Sequence, residues 1–268
     1  MPFAQKMLHK VIALTREAGK AAMAHYGRKD GIDWKADQSP LTLADRAAHK
    51  ILVEGLRALE GGYPVLSEES SAEDIAGRKE WPVFWLVDPL DGTKEFIKQT
   101  GEFTVNVALI QGNEPVLGVI HAPVLERTWA AARGCGALVV DDRSGDETPL
   151  GARVWPGEQP VIVASRDHAG PQVAALFARY PEAETRSMGS SLKFCLVAAG
   201  EADLYLRDVP TMEWDTGAAQ AIVEEAGGVV TDLAGRRLLY NKDDLRNPSL
   251  LTRGDPTFSP ELGQAMSE

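Results

Sequence analysis

The chain has 268 residues, 44% of them apolar and 25% charged, the make-up of a globular protein of one domain or two closely packed halves rather than of a disordered chain or a fibre. Its 28 basic and 39 acidic residues leave a net charge of −11, which argues against the broad phosphate-backbone contact of nucleic-acid binding but leaves room for a small basic pocket. No run approaches the ~18 apolar residues of a membrane span, and the N-terminus leads into an amphipathic helix rather than a signal-peptide core. Two cysteines, Cys135 and Cys195, make no disulfide framework, so a reducing cytoplasm is the expected setting.

Met7, Val11, Leu14, Ala18 and Ala22 recur at helical spacing over residues 5–26, with Gly27 as a stop. A polar loop, 29–38, precedes a second helix traced by Leu43, Ala47, Ile51, Leu52, Leu56 and Leu59 and ended by Gly61-Gly62. Short strands follow at 65–66, 83–87, 105–110, 116–121 and 128–131, punctuated as in an antiparallel meander. The second half alternates: strand 161–164, helix 169–180, helix 190–199, strand 204–206, helix 216–226 and strand 229–230. Such alternation reads as an α/β, layered sheet-and-helix fold. The polar stretch 141–157 is the best linker, dividing an N-terminal half (1–140) from a C-terminal half (158–268) that together form one unit around a shared cleft.

The most informative segment is Trp85-Leu86-Val87-Asp88-Pro89-Leu90-Asp91-Gly92-Thr93-Lys94-Glu95-Phe96. An apolar strand ends at two aspartates; Pro89 imposes a rigid turn, Gly92 allows close backbone approach, and Thr93 is placed to cap a helix starting near Lys94. An acidic turn with an N-cap would explain a bare Asp-x-x-Asp. Here, two carboxylates at ~4 Å would repel by roughly 4 kcal/mol at an effective dielectric of 20, a difficulty that a divalent cation removes. Glu68 and Glu69 close a second strand, Asp215 precedes the helix of 216–226, and Asp45 lies on the first turn of the second helix. Singly, each reads as a helix-start or loop charge; only convergence with Asp88 and Asp91 would make a site.

Leu66-Ser67-Glu68-Glu69, Asp88-Pro89-Leu90-Asp91-Gly92-Thr93 and Trp214-Asp215-Thr216 together resemble the inositol-monophosphatase-like superfamily of lithium-sensitive, magnesium-dependent phosphatases. Lys94-Glu95-Phe96-Ile97, Gly189-Ser190-Ser191-Leu192-Lys193-Phe194-Cys195 and Glu213-Trp214-Asp215-Thr216 are most similar to its CysQ-type 3'(2'),5'-bisphosphate nucleotidase branch. The resemblance spans about residues 5–250. Gly217-Ala218-Ala219 departs from the Ala-Ala-Gly common in the family.

The resemblance implies a layered α/β sandwich and two magnesium ions. Glu68, Asp88 and the Leu90 carbonyl would serve one ion and Asp88, Asp91 and Asp215 the other. Glu68 and Thr93 would orient the attacking water, with Asp45 supporting Thr93 or helping to bind a weaker third ion. The amides of Gly92 and Thr93 would hold the phosphate, and Ser190, Ser191 and Lys193 would contact a nucleotide, unless Ser190 merely caps its helix and Lys193 faces solvent. The implied reaction removes the 3'-phosphate of adenosine 3',5'-bisphosphate, or of the related sulfate donor, in sulfate assimilation. An inositol or fructose-bisphosphate phosphatase is the alternative enzyme, and a catalytically silent metal- or nucleotide-binding protein the alternative of another class. The partner is a small phosphate ester, not nucleic acid. Monomer and homodimer both fit, as do a cytoplasmic location and a peripheral one at the inner face of the membrane.

Other signals are weaker. Gly134-Cys135-Gly136 reads as a hairpin turn, His9, His25, His49, His121 and His168 never fall at metal-ligand spacing, and Cys195 reads as a buried structural thiol.

Overall fold

The computed structural model describes residues 2–28, 32–34, 40–157, 159–164 and 170–260. Most of the polar loop 29–38, His168 and the end of the C-terminal half lie outside the described residues. In chain order come α1 (Pro2–Met23), β1 (Ile32–Trp34), β2 (Pro40–Thr42), α2 (Leu43–Arg57), β3 (Val65–Ser67), α3 (Ala72–Gly77), β4 (Val83–Asp91) and α4 (Thr93–Lys98). The meander continues through β5 (Thr104–Gln111), β6 (Glu114–Ala122), β7 (Arg127–Ala132), β8 (Ala137–Asp141) and β9 (Glu147–Pro149). Then follow β10 (Val161–Ala164), α5 (Pro171–Arg179), β11 (Glu184–Ser187), α6 (Leu192–Ala198), β12 (Leu204–Arg207), α7 (Glu213–Glu225), β13 (Val229–Asp232) and β14 (Leu250–Arg253).

Seven strands form one sheet in the order β3-β4-β5-β6-β7-β8-β9, and five form another in the order β11-β10-β12-β14-β13. The meander is antiparallel except at its edge, where β3 joins β4 in parallel. Strand β9 pairs with β8, so the polar stretch 141–157 contains a strand of the first sheet. Because side chains alternate across a strand, β4 serves two cores. Trp85 and Val87 pack with α1 and α2, whereas Phe84 and Leu86 pack with α6 and α7. On its other side the α6–α7 layer meets Val163 and Tyr205 of the second sheet, whose far face packs on α5 through Val173 and Leu176. The result is five layers, α-β-α-β-α.

Helix α7 therefore lies between two sheets. It approaches the first so closely that a Cβ on Gly118 of β6 would stand 2.3 Å from the Ala218 carbonyl oxygen. The small residues of Gly217-Ala218-Ala219 fit this approach, with Gly217 set against Leu86 and Ala108. Its far end is fastened by Glu225, whose carboxylate accepts hydrogen bonds from the amides of Gly134 and Gly136 in the β7–β8 turn, beside the exposed Cys135. Cys195, by contrast, is buried within α6.

Candidate active site

The site lies where β4 and β5 reach the start of α7. Residues three apart in a regular strand face opposite ways, so Asp88 and Asp91 should diverge. They do not, because the β4–β5 register shifts between them: Asp88 lies opposite Asn106 and Asp91 opposite Thr104, with Pro89 and Leu90 in the irregularity. Pro89 has no N–H for the ladder, so the irregularity falls where pairing would fail anyway. The strand thus runs through Asp91, beyond the end at Val87 read from the sequence. Asp88 continues the Phe84–Leu86 face and points at the α7 layer.

Asp215 completes the group. Helix α7 begins at Glu213, so Asp215 lies in its first turn rather than before it, and its Oδ2 accepts from the Met212 amide at 2.8 Å. Ligand oxygens of Asp88, Asp91 and Asp215 lie within 4.8 Å of one another. Asp88 is 2% exposed, and Asp91 and Asp215 keep an edge on the cavity. Burial, reinforced by Glu68, Asp91 and Asp215, raises the Asp88 carboxyl well above the ordinary range. Burial followed by Asp91 does the same to Asp215. Asp91 is raised less markedly: burial pushes it up, but Lys193, Ser191 and Asn106 oppose the shift. Glu68 follows β3, its amide bonded to the Val87 carbonyl, near enough to act electrostatically on Asp88 and Asp215.

This is a donor set suited to a hard divalent cation: several carboxylate oxygens, poorly hydrated and mutually repelling, at one point. The same position would be costly for bare anions.

The remaining expected residues fall around the group. Gly92 is the αL residue before α4 (φ 93°), and the Thr93 hydroxyl donates to the Leu90 carbonyl at 3.3 Å. Thr93 is therefore the first helical residue rather than the N-cap. The buried Asp45 sits in the first turn of α2, where its Oδ2 accepts from both the amide and the hydroxyl of Thr42. Ser190 is not a cap either: the residue before α6 is Ser191, and its side chain makes no capping bond. Ser190 instead has a φ of 44°.

Lys193 does not face solvent. It is 4% exposed, its Nζ donates to the Met188 carbonyl at 3.2 Å and lies 5.6 Å from the Tyr205 ring centre. Burial lowers its pKa to about 8 against the opposing pull of Asp91. Lys193 lies on the part of α6 that is covered within the middle layer, which removes the exposed-face reading.

A cavity of about 130 Å³ is lined among others by Asp91, Asp215, Ser190, Lys193, Arg207 and Lys94. Arg207, at the end of β12, was not read from the sequence; one basic residue closing a short strand carries no distinctive signal. Thr104 and Asn106 were also missed, although two polar residues two apart in an otherwise apolar strand mark a shared polar face. Both are buried and face the aspartates.

The inositol monophosphatase family matches over residues 4–262, nearly the whole length. The chain belongs to that family. It is 45% identical over 246 residues to the 3'(2'),5'-bisphosphate nucleotidase CysQ of Salmonella typhimurium, covering 90% of this chain and 97% of that one. It also superposes on the crystal structure of CysQ from Bacteroides thetaiotaomicron, a bacterial member of the family, with a TM-score of 0.82 and 39% identity, covering 94% of this chain and 98% of the other. An IMPase from Thermotoga maritima superposes with a TM-score of 0.75 at 26% identity, covering 93% and 92% of the two chains. Members of the inositol monophosphatase family are metal-dependent phosphatases, which agrees with the carboxylate group at the end of β4. No helix among the described residues is long and apolar enough to cross a membrane.

Proposed function

We propose that this protein is a magnesium-dependent 3'(2'),5'-bisphosphate nucleotidase that hydrolyses the 3'-phosphate of adenosine 3',5'-bisphosphate to AMP and phosphate. The observation that carries the reading is a cavity lined by carboxylates and cations together. Asp91 and Asp215 line it for cations and the reacting phosphate, and Lys193 and Arg207 line it for a second phosphate. The high identity to nucleotidases named CysQ supports the same substrate and a place in sulfate assimilation.

Asp88, Asp91 and Asp215, with Glu68 and the Leu90 carbonyl, would hold two magnesium ions. When bound, these supply positive charge that activates water and stabilises the leaving oxygen. Glu68 and Thr93 would orient the attacking water, with Asp45 supporting Thr93 or helping to bind a weaker third ion. The Gly92 and Thr93 amides have no partner inside α4 and face the phosphate. Ser190 lines the cavity beside Lys193. Catalysis of this kind rests on positioning and charge stabilisation and needs no covalent phosphoenzyme.

Phosphate release measured on adenosine 3',5'-bisphosphate, inositol monophosphate and fructose 1,6-bisphosphate, with and without magnesium, tests the reading. The bisphosphate nucleotide should be preferred and the turnover should vanish without the metal. Preference for inositol phosphate would move the protein to another branch of the family, and nucleotide binding without turnover would make it a silent binding protein.

A further inference from the structure

Asp88 and Asp215 each accept from a backbone amide, of Leu90 and Met212 respectively, whereas Asp91 is held by a side chain as well. Its Oδ2 accepts two hydrogen bonds, from the Ser191 amide at 2.7 Å and from Asn106 Nδ2 at 3.3 Å. Asn106 Oδ1 in turn accepts from the Ser191 hydroxyl at 2.9 Å, and that hydroxyl lies 2.7 Å from Thr104 Oγ1. With the Ser191 proton committed to Asn106, the Thr104 hydroxyl donates to Ser191, the nearer of its two acceptors, Ser190 Oγ standing 3.4 Å away. The bonds then run in one direction, Thr104 to Ser191 to Asn106 to Asp91, each donor pointing towards the carboxylate. The same orientation fixes the Asn106 amide, since its oxygen faces Ser191 and its nitrogen faces Asp91.

All three relay residues are nearly inaccessible: Thr104 is 0% exposed, Asn106 1% and Ser191 2%. Ser191 borders the cavity with almost no exposed surface, its hydroxyl turned inward to the relay. Its neighbours do face the cavity, and the segment is tied to the same stretch of chain by Gly189, whose amide donates to Glu102 Oε2 at 2.9 Å. A chain of like-directed bonds in a poorly hydrated site fixes the rotation of the group at its end.

We infer that Asn106 and Ser191 are positioning residues for Asp91, setting the affinity of the carboxylate group for its divalent cation from the substrate-facing wall of the cavity. This inference rests on the metal-dependent reading above. Neither residue touches the reacting atoms; both act through Asp91. Partners that orient a metal ligand typically change metal affinity by about 10–100-fold when removed, and Asn106 and Ser191 occupy that role.

The test is Mn²⁺ binding to the metal-free full-length protein, followed by electron paramagnetic resonance without substrate. Asn106→Ala should weaken Mn²⁺ binding by about tenfold or more. Ser191→Ala keeps the backbone bond to Asp91 and loses the hydroxyl that reaches Asn106 and acts on Asp91 itself, so it should weaken binding by a smaller, severalfold factor. At saturating metal, KM for the bisphosphate should stay near that of the unaltered protein for both variants. Mn²⁺ affinity equal to that of the unaltered protein in folded Asn106→Ala and Ser191→Ala, or a rise in KM alone, would overturn the inference. If Asn106→Ala does not fold, Ser191→Ala decides, because it removes a single oxygen. Failure of the unaltered protein to bind Mn²⁺ would overturn the metal reading itself, so the two failures are told apart.

Discussion

Two groups of polar residues in this protein treat buried carboxylates in opposite ways. Asp142, its side chain 12% exposed, is ringed by donors: Arg16 forms an ion pair with it, the Thr128 hydroxyl donates to it at 2.9 Å, and His121 Nδ1 lies 3.1 Å away. Burial alone would raise Asp142, but His121, Arg16 and Thr128 outweigh it and hold the carboxyl below its ordinary range. Asp88 and Asp215 face mostly other carboxylates and are driven upwards. The Asp142 group joins α1 to the end of β6, the start of β7 and the chain beyond β8, and its charges are settled inside the protein. The Asp88 group is unsettled until something positive arrives. Burial and acidity are common to both; in the Asp88 group Lys193 and Arg207 do not offset the crowded carboxylates, and that shortfall marks it as the candidate site.

The largest break of this contrast is Asp88→Asn. The substitution relieves repulsion yet removes the most buried carboxylate of the group. Turnover should fall on the order of 10³-fold, the scale seen when a preorganised charge-stabilising group is lost, as measured by phosphate release. The metal-free variant should melt no lower than the unaltered protein. Near-normal activity at low magnesium would remove this group from the mechanism.

Lys193 is next, being a cation that borders the unsettled group. Lys193→Ala should reduce kcat/KM for the bisphosphate by roughly ten- to a hundredfold, equivalent to about 1.5–3 kcal/mol, and reduce it far less for a monophosphate. Equal losses on both substrates would instead assign Lys193 to the support of Asp91.

Asp142→Asn gives the reverse pattern. It strands Arg16 and His121 without their anion and should cost about 1.5–3 kcal/mol of stability in denaturant unfolding, with kcat per folded molecule unchanged.

Proton linkage provides the mildest test. Asp88 and Asp215 have raised values in the folded state, so in metal-free protein their contribution favours folding at low pH and is lost as pH rises through those values. Asp142, with a lowered value, contributes above the ordinary carboxylate range and loses that contribution as pH falls. Melting temperatures of chelator-treated protein between about pH 5 and 8 should therefore decline with pH more than those of magnesium-loaded protein. Parallel curves would show that the cation does not neutralise this group.

Much of the site was legible because its carriers are local. Asp88, Pro89, Asp91 and Gly92 announce themselves within five residues, and Asp215 stands beside a helix start. The register shift was not legible, since it depends on how β4 pairs with β5 rather than on β4 alone. The orientation of Lys193 was hidden for a similar reason: a seven-residue helix has no face pattern strong enough to reveal burial on every side. Strand β14, the central partner of β12 and β13, escaped because its four residues follow a loop-rich stretch without alternating polarity. Strand β1 escaped because it interrupts a polar loop with three residues only.

The unequal setting of the two cysteines has a chemical consequence. Cys135 stands exposed at a turn whose flanking amides hold Glu225, on the far side of α7 from the aspartates, while Cys195 is buried in α6 with its thiol pushed well up by loss of hydration. An alkylating reagent will meet the Cys135 sulfur at once and the Cys195 sulfur far more slowly, since Cys195 is 2% exposed in the wall of a second cavity beside Met188, Leu192 and Leu196. The chain thus carries one ready handle for attaching a fluorophore and, two residues from Lys193, a second thiol slow enough to be left unlabelled.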